Sequence, residues 1–399
     1  MRHVLRLAFL LAMSCAAAQA PAPVPDAQAG TLYPFLQSQV PAQFPLSFLN
    51  PRFDDVKQWQ RDARKTVKGL LHYDPPRCDP KPEVVERVDC GDYIREKVTF
   101  NTTPDIRVPA YVLIPDDGKA KHPAILLLHD HGAFFVWGKE KVIGLPGEPP
   151  ALTEFKQMAY SGRSVGNELV KRGYVVMAID MFYWGERRMI LPGDPPEYQD
   201  REQMSVAQVT ACNQRAGQLL PQTTIGVFAA GTTWAGVMFT DDLRSVDYLA
   251  SRPDVDPDRI GCCGLSVGGF RSAHLAGLDP RIKAAVVVGW MCSYPAMLKQ
   301  KLSSIGFWAV VPGLQQLMDL PDVAAMHAPQ PLMCIQGTRD GLFTNEGVQA
   351  AYDKIAAVYA KAGARGRFYP VTYDGPHEFN AAMQDQAYAW LDQWLKGRE

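Results

Sequence analysis

The sequence has no surplus of either charge. Its 399 residues carry 41 Lys and Arg against 42 Asp and Glu, so the balance gives no reason to expect nucleic acid or an anionic membrane as a partner. Beyond the N-terminus no apolar run approaches the roughly 18 or more residues of a spanning helix, and a soluble mature chain is expected. A disulfide framework is missing too. Of the 8 cysteines, Cys15 lies in the N-terminal apolar run. The others (Cys78, Cys90, Cys212, Cys262, Cys263, Cys292 and Cys334) are odd in number and irregularly spaced. Cys262, Cys263 and Cys334 sit in apolar runs and read as small core residues. Cys78 and Cys90 are the two that an oxidising compartment would let pair. Histidine is scarce, at 8, and no Cys/His cluster has zinc-ligand spacing, so no metal site is expected.

What is present begins with a targeting pattern. Arg2 and Arg6 precede an apolar stretch from Leu7 to Ala18, and Ala18-Gln19-Ala20 before Pro21 is an A-x-A cleavage signature. Residues 1–20 read as a secretory signal, which implies a secreted or periplasmic protein. A lipoprotein anchored at Cys15 fits less well, because Ala12 stands where leucine is usual. Residues 21–82 form a Pro/Ala-rich leader and a helical extension. Within it Trp59, Ala63, Val67, Leu70 and Leu71 fall near one face of a helix spanning Val56 to Leu71, and Asp74-Pro75-Pro76 ends the pattern.

From about residue 83 to 399 the rhythm becomes that of an α/β domain. Tyr93–Phe100 and Val108–Ile114 read as strands, followed by the short apolar runs Pro123–Leu128, Tyr174–Ile179, Ile260–Cys263, Ala284–Val288, Leu332–Ile335 and Phe368–Thr372. Near-continuous apolarity marks strands buried on both faces. Helical patterns lie between them at Asn167–Arg172, Asp242–Ala250, Gly347–Lys361 and Ala381–Leu395. The alternation implies a mostly parallel central sheet with helices on both faces, plus the N-terminal helical extension. Three long segments without clear periodicity, 133–163, 183–232 and 291–329, follow strand ends and are the natural walls or lid of a pocket.

Gly264-Leu265-Ser266-Val267-Gly268 follows the apolar run Ile260-Gly261-Cys262-Cys263 and opens a helical run of small residues. A serine on a sharp strand-to-helix turn is a nucleophile elbow, and the glycines relieve its crowding. Such a serine needs a base, and the base an orienting acid, drawn from later strand ends in the order acid then histidine. Asp340 follows Leu332–Ile335, and His377, the only histidine after it, lies between Phe368–Thr372 and the last helix. Ser266, Asp340 and His377 are therefore the candidate triad, with Asp374 as the fallback acid. The oxyanion donors are the N–H of Val267 and one from the loop His129-Asp130-His131-Gly132-Ala133. There His131 is favoured, with Gly132 and Ala133 as alternatives, because Asp130 stands where glycine is usual. His129 and His131 lack a third clustered ligand for a metal. Trp184 and Arg271 are candidate substrate contacts; the alternatives are a loop packed beneath the lid and a salt-bridged helix arginine.

With these motifs the chain resembles the α/β-hydrolase superfamily from about residue 83 to the C-terminus. Leu128-His129-Asp130-His131-Gly132 with Gly138-Lys139-Glu140-Lys141, and Asp180 with Trp184-Gly185-Glu186-Arg187, resemble its dienelactone-hydrolase-like and acetyl xylan esterase-like bacterial members. The resemblance implies hydrolysis of carboxylic esters, often of acetylated sugars, with no cofactor and with a small-molecule or carbohydrate ester as partner. Dienelactone hydrolases carry cysteine at the elbow where this chain has Ser266, which argues against lactone chemistry. A serine peptidase of the prolyl oligopeptidase type shares the triad order, but about 80 residues before the sheet are too few for a β-propeller of several four-stranded blades. A non-catalytic binding protein on the same scaffold would be favoured by a lost triad member, and none is lost.

Overall fold

A computed structural model describes residues 24–397; the signal reading of residues 1–20 falls outside them. Nine strands form one sheet: β1 (Glu83–Asp89), β2 (Tyr93–Thr103), β3 (Ile106–Pro115), β4 (His122–Leu128), β5 (Val175–Ile179), β6 (Val255–Leu265), β7 (Ile282–Val288), β8 (Leu332–Gly337) and β9 (Phe368–Tyr373). Their spatial order is β1-β2-β3-β5-β4-β6-β7-β8-β9. The pairs β1/β2, β2/β3 and β3/β5 are antiparallel, and every pair from β5/β4 onward is parallel.

The parallel strands explain their own composition. Along β4 every residue is buried, and successive side chains enter opposite layers. Ala124, Leu126 and Leu128 join one core, together with the helices Trp234–Ser251, Val267–Leu278 and Asn345–Lys361. Ile125 and Leu127 join the other, together with the helices Pro150–Tyr160, Val165–Lys171 and Ala381–Leu395. The edge strand β1 is exposed along nearly its whole length. It has no apolar alternation, which is why the sequence showed no strand there.

Residues before β1 pack against helices that flank the sheet. The helix Val56–Leu70 is capped by Asp55, which accepts from the N–H groups of Lys57 and Gln58, and it buries Trp59, Ala63 and Val67. Trp59 Nε1 donates to Leu46 O at 2.8 Å, Gln60 Nε2 to Met326 O at 2.8 Å and Arg64 Nε to Gly277 O at 2.8 Å. The long segments are more regular than their sequences suggest. Residues 183–232 contain a helix of 24 residues, Val206–Ala229, started by a Ser205/Gln208 capping box and carrying Pro221 inside it. The helix Trp234–Ser251 begins well before Asp242 because Trp234–Asp242 is buried on all sides, which erases the amphipathic period. Cys78 and Cys90 are both free thiols.

Candidate active site

Between β6 and the helix Val267–Leu278 stands a single residue, Ser266, at φ 60° and ψ −122°. For a side chain other than glycine this is a strained backbone, held only where the surroundings enforce it. The enforcement comes from both neighbouring strands. Ser266 N–H donates to Val288 O of β7 at 2.8 Å. A Cβ on Gly264 would lie 2.4 Å from Leu128 O of β4, and one on Gly268 would lie 1.9 Å from that same oxygen. A Cβ on Gly269 would meet Val288 O at 2.5 Å. Glycine at these places is a demand of β4 and β7, which pinch the turn from either side.

Downstream, Asp340 follows β8 and is almost wholly buried. Its Oδ2 accepts from His377 Nδ1 at 2.6 Å and from Gln336 Nε2 at 2.7 Å, and its Oδ1 from Leu342 N–H at 2.9 Å. A carboxylate accepting at Nδ1 fixes the proton there and leaves the Nε2 lone pair free. That Nε2 is buried and has no hydrogen-bond partner among the described residues. The ring rests on Gly289, where an added Cβ would sit 3.0 Å from His377 Cε1, and the loop Gly375–Pro376 packs on Gly337 at the end of β8. Asp374 turns away: its side chain is 84% exposed and pairs with Arg339 at 2.9 Å. Ser266 and His377 line one cavity of about 590 Å³.

The oxyanion loop shares this cavity through Asp130, His131, Gly132 and Ala133. Ala133 N–H is taken by His131 Nδ1 at 2.9 Å, which removes it as a donor to substrate. The N–H groups of His131, Gly132 and Val267 have no acceptor among the described residues. Gly132 lies at φ 56°, and a Cβ there would come within 2.5 Å of both Asp130 Oδ2 and Phe155 Cζ. Burial, with Lys141 nearby, pushes the His131 imidazole down to about 4. Burial likewise holds His129 well below the ordinary histidine range, so both rings are neutral at pH 7.

Two expected substrate contacts are corrected. Trp184 is fully buried and does not line the cavity. Its Nε1 donates to His131 O at 3.1 Å, and its ring packs edge-on against His131 with centroids 4.8 Å apart; it supports the loop from behind. Arg271 is also fully buried, its Nε and Nη2 donating to Asp242 at 3.0 and 2.5 Å. It ties the elbow helix to the helix Trp234–Ser251. The cavity wall comes instead from Phe155, Met158, Leu220, Ile305, Phe307 and Trp308. All six belong to the three long segments flagged as pocket walls, but nothing in their local pattern singles them out.

Behind the loop the carboxylates of Glu140, Asp180 and Glu186 converge closely enough to hold a cation. That cation is the ammonium of Lys139, at 2.9, 2.8 and 2.5 Å from the three. Arg201 adds to Glu140 at 2.5 Å and Lys97 to Glu186 at 3.2 Å. Burial alone would lower the Lys139 pKa, but Asp180, Glu140 and Glu186 outweigh it and hold the group above the ordinary lysine range. Asp180 further accepts from Lys139 N–H at 2.8 Å and Glu186 N–H at 2.9 Å. The cluster thus fastens the segment after the oxyanion loop to the end of β5.

The sequence profile of the dienelactone hydrolase family matches residues 157–395, more than half of the chain. The chain belongs to the dienelactone hydrolase family. Within that family it is an ester hydrolase of α/β-hydrolase fold, and an Abhydrolase family profile also matches residues 33–209. It is 28% identical to YtaP of Bacillus subtilis (strain 168), assigned as a hydrolase, over 335 residues that cover 84% of this chain and 99% of the other. A Bacteroides fragilis structure assigned as an acetyl xylan esterase superposes with a TM-score of 0.66 at 21% identity, covering 86% of this chain and 82% of that one. A glucuronoyl esterase from Solibacter usitatus superposes at 0.58 with 14% identity, covering 89% and 99%. At these identities the two structures speak for the fold. Among the described residues no helix is long and apolar enough to cross a membrane.

Proposed function

We propose that the protein is a serine carboxylesterase acting through an acyl-enzyme on Ser266, with acetyl esters of carbohydrates as its substrate class. The observation that carries this reading is the shared cavity: Ser266 and His377 line it, His377 Nε2 has no hydrogen-bond partner among the described residues, and Asp340 holds Nδ1 at 2.6 Å. In this conformation no hydrogen bond joins Ser266 to His377; contacts of this kind tighten when substrate is bound. Ser266 Oγ attacks the ester carbonyl as His377 Nε2 takes its proton. Asp340 stabilises the resulting imidazolium, and the oxyanion is received by the N–H groups of Val267 and the His131–Gly132 loop. Collapse expels the alcohol, which takes the proton from His377. Water then repeats the sequence on the acyl-serine, releasing the acid and restoring the hydroxyl.

The substrate class is supported by the acetyl xylan esterase likeness and by a wall of Phe155, Met158, Leu220, Ile305 and Phe307 that suits an uncharged acyl group. Labelling of Ser266 by a fluorophosphonate, together with hydrolysis of acetylated sugars and of short and long p-nitrophenyl esters, tests the reading. No labelling in the folded protein refutes the mechanism, and a preference for long acyl chains refutes the substrate class. A periplasmic or secreted location belongs to the same proposal, on the pattern of residues 1–20, and cell fractionation checks it.

A further inference from the structure

Lys141 is fully buried, lies behind the oxyanion loop and does not line the cavity. Its ammonium donates to Asp130 O at 3.0 Å and to His131 O at 2.9 Å. The one carboxylate oxygen in reach, Asp130 Oδ2, is farther away at 3.3 Å. That carboxylate is shared with the Tyr160 hydroxyl, which donates to Oδ1 at 2.5 Å. Burying an ammonium is costly unless its donors are well satisfied, and here the two nearer acceptors are main-chain carbonyls.

Those two carbonyls belong to consecutive peptide units, whose N–H groups are those of His131 and Gly132. In a trans peptide the N–H points opposite to the C=O. A cation seated on the oxygen side therefore sends both N–H groups to the other side. Both residues line the cavity, and neither N–H has an acceptor among the described residues. A charge at the carbonyl end also polarises each unit and makes its N–H a stronger donor. Trp184 Nε1 reinforces the second carbonyl at 3.1 Å. Lys139, two residues earlier, is directed into the carboxylate cage, so the two lysines serve opposite ends of one short segment.

We propose that Lys141 is a positioning residue of the oxyanion hole: its buried ammonium holds the 130–131 and 131–132 peptides with their N–H groups toward the tetrahedral intermediate and strengthens them as donors. This rests on the reading of Ser266 as nucleophile. It goes beyond that reading by naming two adjacent loop donors and the charge that arms them.

Fluorophosphonate labelling of wild-type Ser266 comes first; its absence sinks the serine mechanism, whereas the steps that follow judge Lys141 alone. In Lys141→Met and Lys141→Gln, kcat on p-nitrophenyl acetate is expected to fall about 10- to 100-fold with KM within about threefold, since the donors act on charge present only in the transition state. The inhibition constant of a trifluoromethyl ketone that adds to Ser266 should rise in the same proportion. Tyr160→Phe, which removes a donor from Asp130 but leaves the ammonium on both carbonyls, should lose several-fold less. A folded neutral variant within about threefold of wild-type kcat, a loss carried by KM, or an unchanged inhibition constant overturns the proposal. Should neither neutral variant fold, the wild-type ketone adduct decides. The amide protons of His131 and Gly132 should move downfield in its NMR spectrum, and two unmoved resonances overturn the assignment.

Discussion

The elbow and the oxyanion loop line one cavity, yet they are held by different physics. At the elbow the constraint is steric. β4 and β7 leave no room for a Cβ at Gly264, Gly268 or Gly269, and Ser266 is forced to positive φ. The loop has a steric element at Gly132, but its frame is electrostatic: Lys141 on two carbonyls, Lys139 in a cage of three carboxylates, and Asp130 shared between Tyr160 and Lys141. Close packing fixes a turn without regard to charge. Buried ions fix a loop only while every partner is present, because removing one leaves an uncompensated charge behind.

The largest effect is expected at the elbow itself. Ser266→Ala should lower kcat by a factor on the order of 10⁶ while the fold is kept; steady-state turnover near wild type would remove the serine from the chemistry. Asp340→Asn should cost on the order of 10⁴ in kcat, since an amide no longer fixes the His377 tautomer. A loss of less than tenfold would point to another acid.

The contrast between packing and charge is probed by Arg271→Met and Gly268→Ala. The first leaves Asp242 buried without its partner and should cost about 3–5 kcal/mol of stability, with KM for ester unchanged in the folded fraction. A raised KM at unchanged stability would return Arg271 to the substrate site. The second forces a Cβ against Leu128 O and should cost about 1–3 kcal/mol as an overpacked core, with a disproportionate loss of kcat because the serine shifts. Urea unfolding midpoints separate the two. Trp184→Phe should be the mildest. It removes one hydrogen bond to His131 O, worth about 1 kcal/mol, so kcat should drop about fivefold with KM held. A change confined to KM would make Trp184 a substrate contact after all.

The same division governs what could be read from the sequence. Ser266 and Asp340 each follow a continuous apolar run, and strand ends of that kind are legible because burial on both faces leaves a mark in composition; His377 follows the largely exposed edge strand β9 and was legible by its order after Asp340. The face of the helix Val56–Leu70 was legible because its buried residues recur at helical spacing. Trp184 and Arg271 were not, because an aromatic or a cation near an elbow looks the same whether it points into the cavity or away from it. Lys139 and Lys141 hid still better. The Lys-Glu-Lys triplet stood out in the sequence only within a stretch resembling other hydrolases, and only the fold shows that all three residues are buried. The helix Val206–Ala229 escaped because small and polar residues with Pro221 blur its period, although Ser205 and Gln208 do spell its start.

The cage around Lys139 has a consequence for how the enzyme meets its surroundings. Three carboxylates at this spacing are what a divalent ion would ask for, and an ion so held is borrowed from the medium: dilution, a chelator or a competing metal can take it away. Here the cation is tethered by its own side chain and cannot diffuse off. The anchorage behind the oxyanion loop is inherited with the polypeptide and complete as soon as the chain folds, so adding EDTA should leave the loop as it finds it.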